Sequence, residues 1–224
     1  MNLNVKAWLS LLALAVGMGL LLFLPAGTIR YWQAWLYLSV FTGATLLLTL
    51  YLVKRDPVLL ERRMSGGPTG EKRATQKLIM LFVSVAFTAL LVVPALDRRF
   101  GWSDVPPGLV ILGDLLVVTG FYLIFLVYRE NTYASATIEI ARGQKVVDTG
   151  PYAVVRHPMY AGGLLYLGGT PLALGSYWGL LAFALIVALI VWRLLDEERL
   201  LAGELPGYRE YRQRVRYRLA PFVW

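Results

Sequence analysis

The amino-acid sequence predicts an all-α, polytopic membrane protein with about six transmembrane helices and a C-terminal amphipathic tail on the cytoplasmic side. Of the 224 residues, 58% are hydrophobic and only 16% are charged, whereas soluble domains contain roughly 45–50% apolar and about 25% charged residues. The apolar residues form long runs separated by basic clusters. These runs lack the two-residue alternation of a membrane β-barrel, so helices are the predicted spanning elements.

Six apolar runs account for the predicted spans. In order, they are Ala7–Leu24, Ala34–Val53, Leu78–Leu96, Leu109–Tyr128, Met159–Leu174 and Tyr177–Leu195. A helix needs roughly 17–25 apolar residues to cross a bilayer, and Met159–Leu174 alone falls short of that range. It is rich in glycine, and we expect it to pair with the last run as a hairpin. The first run is longer than a signal-peptide core, so we expect it to be retained.

The distribution of basic residues predicts the orientation of these spans. Of the 22 Lys and Arg residues, 19 lie before the first run or within residues 54–77, 129–156 and 193–224. Six crossings place all of these segments on one side, which the positive-inside rule assigns to the cytoplasm together with both termini. A five-span alternative would place one of the large basic clusters outside, so six spans are preferred.

The composition also excludes several kinds of site. The chain has no cysteine and a single histidine, His157, so disulfides, cysteine nucleophiles and multi-histidine metal sites are excluded and we expect no metal. The net charge of +8 does not predict a nucleic-acid partner. Its basic residues lie between membrane spans or in the tail after the last one, where anionic lipid head groups are the more usual partners.

The sequence divides into a predicted N-terminal transmembrane scaffold, residues 1–128 with four spans, and a C-terminal region, residues 129–224, which carries the polar and aromatic motifs. The connection Lys54–Lys77 contains a glycine-rich turn at Ser65–Gly70. This turn lacks the spacing of a phosphate-binding loop, so we interpret it as a linker.

The string Arg156-His157-Pro158-Met159-Tyr160 stands where the fifth span begins. Proline is favoured as the first residue of a helix, so Pro158 predicts the helix start. Arg156 and His157 then lie beside free helix N–H groups, where an anion is stabilised. The alternative is that Arg156 reaches lipid phosphates and His157 caps the helix, and the residue types alone leave both interpretations open.

Arg193 and Glu197 are four residues apart in the last span and share one helix face. One interpretation is an ion pair between the two. The other is that the helix presents a guanidinium for an anion and a carboxylate for a cation. The second arrangement suits a reaction between a positively charged methyl donor and a carboxylate acceptor.

The motifs G-P-Y-x-x-V-R-H-P-M-Y-x-G, E-E-x-x-L and P-G-Y-x-x-Y, followed by a basic stretch, resemble the isoprenylcysteine carboxyl methyltransferase family, to which phospholipid N-methyltransferases are related. The resemblance extends from about Asn131 to the C-terminus. It implies an enzyme that transfers a methyl group from S-adenosylmethionine to a lipid or lipidated acceptor, in a pocket at the cytoplasmic surface of the membrane.

The resemblance also implies which residues form the pocket. Glu197 is the carboxylate contact to the cofactor, Arg193 is the catalytic residue that addresses the acceptor's carboxylate, and Arg156 supports the site or binds an anion. The remaining cofactor-binding residues are Gln144, Lys145, Val146, Val147, Tyr152, His157, Pro158, Met159 and Tyr160. Gln144 replaces the family's usual histidine, and Glu204–Gly207 replaces an aromatic-rich stretch.

Several alternatives remain open from the sequence. The acceptor is expected to be a carboxylate such as that of a prenylated cysteine, but a phospholipid amine is the nearest rival. An NADPH-dependent sterol-type reductase and a non-enzymatic transporter or scaffold are the alternatives from other classes. The sequence leaves the oligomeric state open.

Overall fold

The computed structural model describes residues 2–67 and 69–224, and within them the chain is all-helical, as predicted. Eight α-helices are found there: α1 (Leu3–Ala26), α2 (Trp32–Arg55), α3 (Pro57–Met64), α4 (Ala74–Phe100), α5 (Pro107–Glu130), α6 (Pro158–Ala173), α7 (Gly179–Glu204) and α8 (Tyr208–Arg214). A short 3₁₀ turn covers Gly150–Ala153. The segment between α5 and α6 is otherwise irregular.

Five of these helices, α1, α2, α4, α5 and α7, are long and apolar enough to cross a membrane. They correspond to five of the six predicted spans, and the chain is an integral membrane protein. Helix α6 has 16 residues, about 24 Å at 1.5 Å per residue. This is below the roughly 30 Å of a bilayer's hydrocarbon core, in line with the short fifth run of the sequence.

Helix α6 nevertheless extends between the same two ends of the bundle as its longer neighbours. At one end, which we call the proximal end, Leu3, Leu52, Leu60 and Met159 belong to one apolar cluster. At the opposite, distal end, the Tyr31 hydroxyl donates a hydrogen bond of 2.6 Å to the carbonyl of Leu174, directly after α6. Leu3 therefore lies at the proximal end, and so does the C-terminal tail, because the carbonyl of Arg218 accepts a hydrogen bond of 2.9 Å from the His157 N–H. That this end faces the cytoplasm stays a prediction from the basic residues.

Local sequence determines where the proximal helices begin. Asp56 precedes α3, its carboxylate accepts a hydrogen bond from the Leu59 N–H at 2.9 Å, and Pro57 occupies the first position of the helix. Pro158 is likewise the first residue of α6, as predicted. Proline suits this position because its missing N–H would have no partner inside the helix.

The closest packing in the bundle joins α5 and α6 through small residues. A Cβ atom built on Gly120 would lie 2.5 Å from the carbonyl oxygen of Gly162 and 2.6 Å from the amide nitrogen of Tyr166. Glycines let membrane helices approach closely enough for dispersion contacts between their backbones. This contact fixes α6, and with it the start of the candidate site, against α5.

We predict that Gly120→Ala destabilises the bundle by about 1–3 kcal/mol, because the new methyl group meets backbone atoms that cannot rotate away. Gly43→Ala on α2 is the control, since a Cβ there meets nothing within 4 Å. Thermal unfolding in detergent should show a lower melting temperature for Gly120→Ala and an unchanged or slightly higher one for Gly43→Ala. Equal melting temperatures for the two variants would contradict the close packing.

Candidate functional site

A cavity of about 350 Å³ lies at the proximal end, over the start of α6 and between the end of α7 and the irregular segment that follows α5. Every predicted site residue except Pro158 contributes to its lining. These residues are Gln144, Lys145, Val146, Val147, Tyr152, Arg156, His157, Met159, Tyr160, Arg193 and Glu197. The structure thus brings together residues that are as much as 53 positions apart in the sequence.

Three consecutive acidic residues of α7 have different environments. Asp196 pairs with Arg73 at 3.0 Å, and Glu198 pairs with Arg156 at 2.7 Å. Glu197 lines the cavity, and its Oε2 accepts a hydrogen bond of 2.6 Å from the Tyr160 hydroxyl. Within residues 2–67 and 69–224, no cation pairs with Glu197. Glu197 therefore presents to the cavity a carboxylate that forms no ion pair with the described protein residues.

Glu198 connects three segments of the proximal end. Its Oε1 accepts from the Arg156 Nε and lies 3.3 Å from the His157 Nε2, and its Oε2 accepts from the Arg218 Nε at 3.0 Å. The Arg156 guanidinium also donates to the carbonyls of Val215 and Arg216 at 2.9 and 2.8 Å. Arg156 thus holds the C-terminal tail against α6 and α7, and its Nε and Nη1 donors are occupied by protein groups.

The ion pair between Arg193 and Glu197, one of the two interpretations of their spacing, does not form among the described residues. The Arg193 guanidinium instead donates to Glu71 at 2.6 Å, to the Gln76 side chain at 2.7 Å and to the Ala136 carbonyl at 3.0 Å. Arg193 and Glu71 are both buried. The i,i+4 spacing placed Arg193 and Glu197 on one helix face, but partners from other elements take the guanidinium.

The connection between α3 and α4 is therefore more than a linker, which corrects that interpretation. Glu71 from this connection also accepts a hydrogen bond from the Ile138 N–H at 3.2 Å. Arg63 and Gly67 line the cavity, as do Met80 and other residues of α4. The sequence signal was faint, because Glu71 is one acidic residue in a mostly basic, polar segment. The division at residue 128 stays a prediction, but residues on both sides of it form the cavity.

Tyr152 is held at the cavity wall by two hydrogen bonds. Its hydroxyl accepts from the Asn131 side chain at 2.8 Å, and its carbonyl accepts from the Tyr211 hydroxyl, also at 2.8 Å. Burial raises the pKa of Tyr152 to about 12, against the lowering effect of the Asn131 hydrogen bond. The phenol is therefore neutral at physiological pH and offers an aromatic surface rather than a base.

Tyr208, at the start of α8, is a lining residue that the sequence had not assigned to the cofactor pocket. It is 4% exposed, and its hydroxyl has no hydrogen-bond partner among the described residues. Burial raises the pKa of Tyr208, with further contributions from the charges of Glu198 and Glu197. A neutral buried hydroxyl without a partner is costly, so a bound molecule that supplied a partner would be favoured at this position.

The cavity continues from its polar mouth into an apolar part between α4, α6 and α7. This part is lined by Val83, Phe87, Leu167, Ile186 and Ile190. The same residues belong to an apolar cluster of the bundle. The cavity thus joins a polar, charged end to membrane-depth hydrocarbon side chains.

Two comparisons show what this chain is similar to. The family model described as phospholipid methyltransferase matches residues 109–204, which contain α6, α7 and the segment that precedes them. A curated relative, protein-S-isoprenylcysteine O-methyltransferase B of Arabidopsis thaliana, is 32% identical over 147 residues. The match covers 62% of this chain and 70% of the relative.

We predict that Glu198→Gln destabilises the protein by about 3–5 kcal/mol, because removing one partner of a buried ion pair leaves the other uncompensated. Arg156 and Arg218 would lose their shared counter-ion. The melting temperature in detergent should fall, and the C-terminal tail should become sensitive to trypsin. Glu204→Gln, on an exposed residue of the same helix, should leave both unchanged. A Glu198→Gln protein with a wild-type melting temperature and an intact tail would refute the structural role.

Proposed function

Because the chain belongs to the isoprenylcysteine carboxyl methyltransferase family, we propose that its proximal cavity binds S-adenosylmethionine and that the methyl acceptor is a lipid-like carboxylate such as a prenylated cysteine. The chain is a membrane methyltransferase by family. We propose in addition where the methyl donor binds, what its site residues do and which class of acceptor is methylated.

The observation that carries the proposal is the lone carboxylate of Glu197. A carboxylate at a cavity wall without a protein cation stabilises a positively charged ligand, and the attraction grows as water is excluded. The rings of Tyr152 and Tyr160 line the same cavity. Aromatic faces stabilise a nearby cation by about 0.5–2 kcal/mol each. The site is therefore suited to the positively charged sulfur of S-adenosylmethionine.

The rest of the polar lining also fits this cofactor. The Tyr208 hydroxyl, buried and without a partner, provides a hydrogen-bonding group for a polar part of the molecule. The segment Gln144–Val147 forms one wall, and the Gln144 side chain is occupied by a hydrogen bond from the Ala141 N–H at 2.9 Å. Gln144 therefore supports the turn, and we assign contact with the cofactor to the backbone and side chains that follow it.

The reaction requires the protein mainly to position the methyl donor and the acceptor. When bound, S-adenosylmethionine supplies a methyl group on a positive sulfur, which a carboxylate oxygen takes directly while the bonding electrons remain on sulfur. The site's residues then need only align the two reactants and exclude water, which together supply most of the rate enhancement in such a reaction. His157 is oriented by Glu198, and we assign it a structural role at the cavity wall rather than that of a base.

A carboxylate acceptor matches this site better than an amine. An ammonium group has to lose its proton before it accepts a methyl group, so it needs a base within hydrogen-bond reach. His157 is already in contact with Glu198, and Glu197 is required for the cation. A phospholipid amine remains the second candidate, because the matching family model is that of phospholipid methyltransferases.

We predict that Glu197→Gln weakens S-adenosylmethionine binding by about tenfold or more, the equivalent of about 1.4 kcal/mol. S-adenosylhomocysteine, which carries no charge on sulfur, should lose less affinity than S-adenosylmethionine if Glu197 faces the sulfur. Equilibrium binding in detergent measures both constants. The control, Glu204→Gln, should bind both as wild type does. Unchanged affinity of Glu197→Gln for both ligands would overturn the proposed donor site.

The stability of the methylated product to alkali distinguishes the two classes of acceptor. Purified protein, methyl-labelled cofactor and either S-farnesyl-N-acetylcysteine or phosphatidylethanolamine vesicles form the two assays. We expect label on the farnesylated compound that mild alkali releases as volatile methanol, since a methyl ester hydrolyses and an N-methyl amine does not. Alkali-stable label found on phosphatidylethanolamine alone would refute the carboxylate acceptor and support the phospholipid amine.

A further inference from the structure

A second cavity, of about 410 Å³, lies beside the first one between α1, α2, α5 and α6. The two cavities share three lining residues, Arg63, Ile124 and Tyr166. Volumes of about 300–1,000 Å³ are typical of cavities for small-molecule ligands. The proximal end thus has two adjoining cavities of ligand size, and a reaction between two substrates needs two such volumes.

The surface of the second cavity is apolar. Leucines and aromatic residues form most of it, including Leu14, Leu48 and Phe41. The hydroxyls of Thr45 and Thr49 donate to backbone carbonyls one turn earlier in α2, each at 2.8 Å. Their hydrogen-bonding capacity is therefore largely used within the helix, which leaves methyl groups and hydrocarbon as the character of the cavity.

Arg63 is the positive charge at the boundary between the two cavities. Its guanidinium donates through Nη1 to the Ser135 carbonyl at 3.0 Å and lies 5.6 Å from the centre of the Tyr128 ring. Throughout the described residues, no carboxylate pairs with Arg63. A half-buried guanidinium retains most of its five N–H donors for a ligand in this arrangement.

Arg193 differs from Arg63 because it has a protein counter-ion. Arg193 also lines the first cavity, but Glu71 neutralises it at 2.6 Å and two further protein groups take its donors. A guanidinium that already pairs with a protein carboxylate would have to give up that ion pair to bind a ligand carboxylate. A guanidinium without a protein counter-ion binds the ligand carboxylate without this cost. Arg63 satisfies this condition.

We propose that the acceptor lies across the shared wall, with its hydrocarbon chain in the second cavity and its carboxylate on Arg63. This inference rests on the proposed function and deepens it, since it assigns the position of the acceptor and the residue that recognises its carboxylate. An apolar chain suits the second cavity, and a carboxylate at Arg63 faces the cavity that holds Glu197. Arg63 then becomes the residue that selects a carboxylate over a neutral head group.

The first test measures binding rather than turnover. S-farnesyl-N-acetylcysteine and its carboxamide are titrated against the protein in detergent in the presence of S-adenosylhomocysteine. We expect wild type to prefer the acid by about tenfold or more, because hydrogen bonds between a guanidinium and a carboxylate are stronger than those to a neutral amide. In Arg63→Gln this preference should fall to near unity. A merely structural role for Arg63 would weaken the acid and the amide equally.

Arg62→Gln is the matched control. Arg62 makes the same two kinds of contact as Arg63, a hydrogen bond of 2.8 Å to the Thr132 carbonyl and a position 5.4 Å from the centre of the Tyr133 ring. It does not belong to the lining of either cavity. It should therefore keep the wild-type preference for the acid. An Arg63→Gln protein with that same preference would overturn the proposal.

The second test locates the hydrocarbon chain. Thr45→Phe fills the second cavity, so affinity for a geranylgeranyl compound should fall at least about tenfold more than affinity for a geranyl one. Leu47→Phe, two residues along α2 and 68% exposed, should leave the ratio unchanged. If Val83→Phe in the α4 part of the first cavity changes the ratio and Thr45→Phe does not, the chain lies there and the proposal fails.

Failure of this inference is distinguishable from failure of the proposed function. The affinity for S-adenosylhomocysteine is measured for every variant before the acceptor compounds are added. Arg62→Gln, which is outside both cavities, should retain that affinity within about twofold, a change of below about 0.5 kcal/mol. For Arg63→Gln, the ratio between acid and amide is unaffected by any change in donor affinity that the two ligands share. Normal donor binding with an unaltered acid preference refutes Arg63 alone, whereas wild-type protein that does not bind the donor refutes the donor site.

Discussion

The arrangement of the proximal end follows from the requirement that buried charges have partners. A charge removed from water without a counter-ion is strongly unfavourable. Helix α7 brings Arg193, Asp196 and Glu198 into buried positions, and each has an opposite charge within 3.0 Å. Glu197 lies between them and forms no ion pair within residues 2–67 and 69–224. The site is therefore defined by the charge that remains after the fold has compensated the others.

These ion pairs also explain why the functional region is not a contiguous part of the sequence. Glu71 comes from the connection before α4, and Arg218 comes from the C-terminal tail, yet both contact the same end of α7. The contacts that close the cavity are thus the contacts that attach the two polar segments to the bundle. Substitutions in either segment are expected to change stability and binding together. The ratio of the affinities for two ligands separates an effect on recognition from such a general loss.

The sequence predicted the fold and the part of the cavity lining that comes from residues 144–160 and from α7, because those features have local signals. Apolar runs revealed the spans, Pro158 indicated the start of α6, and the motif from Gly150 to Tyr160 indicated the lining. The partner of Arg193 had no such signal, since Glu71 is 122 residues away and only the tertiary fold brings them together. The i,i+4 spacing predicted that Arg193 and Glu197 share one helix face. It did not predict which other element packs against that face. Arg63 was missed for the same reason.

The shortness of α6 places the site at the boundary between membrane and water. Along the α5–α6 contact, Gly113 lies against Gly169 and Gly120 against Gly162, so the proximal turns of α5 pass beyond the first residue of α6. Helix α7 also continues past its contact with His157. The recess above Pro158 is therefore walled by two longer helices. A water-soluble donor and a membrane-bound acceptor can meet only at such a depth, where the charges of the helix ends and the apolar side chains of the bundle adjoin.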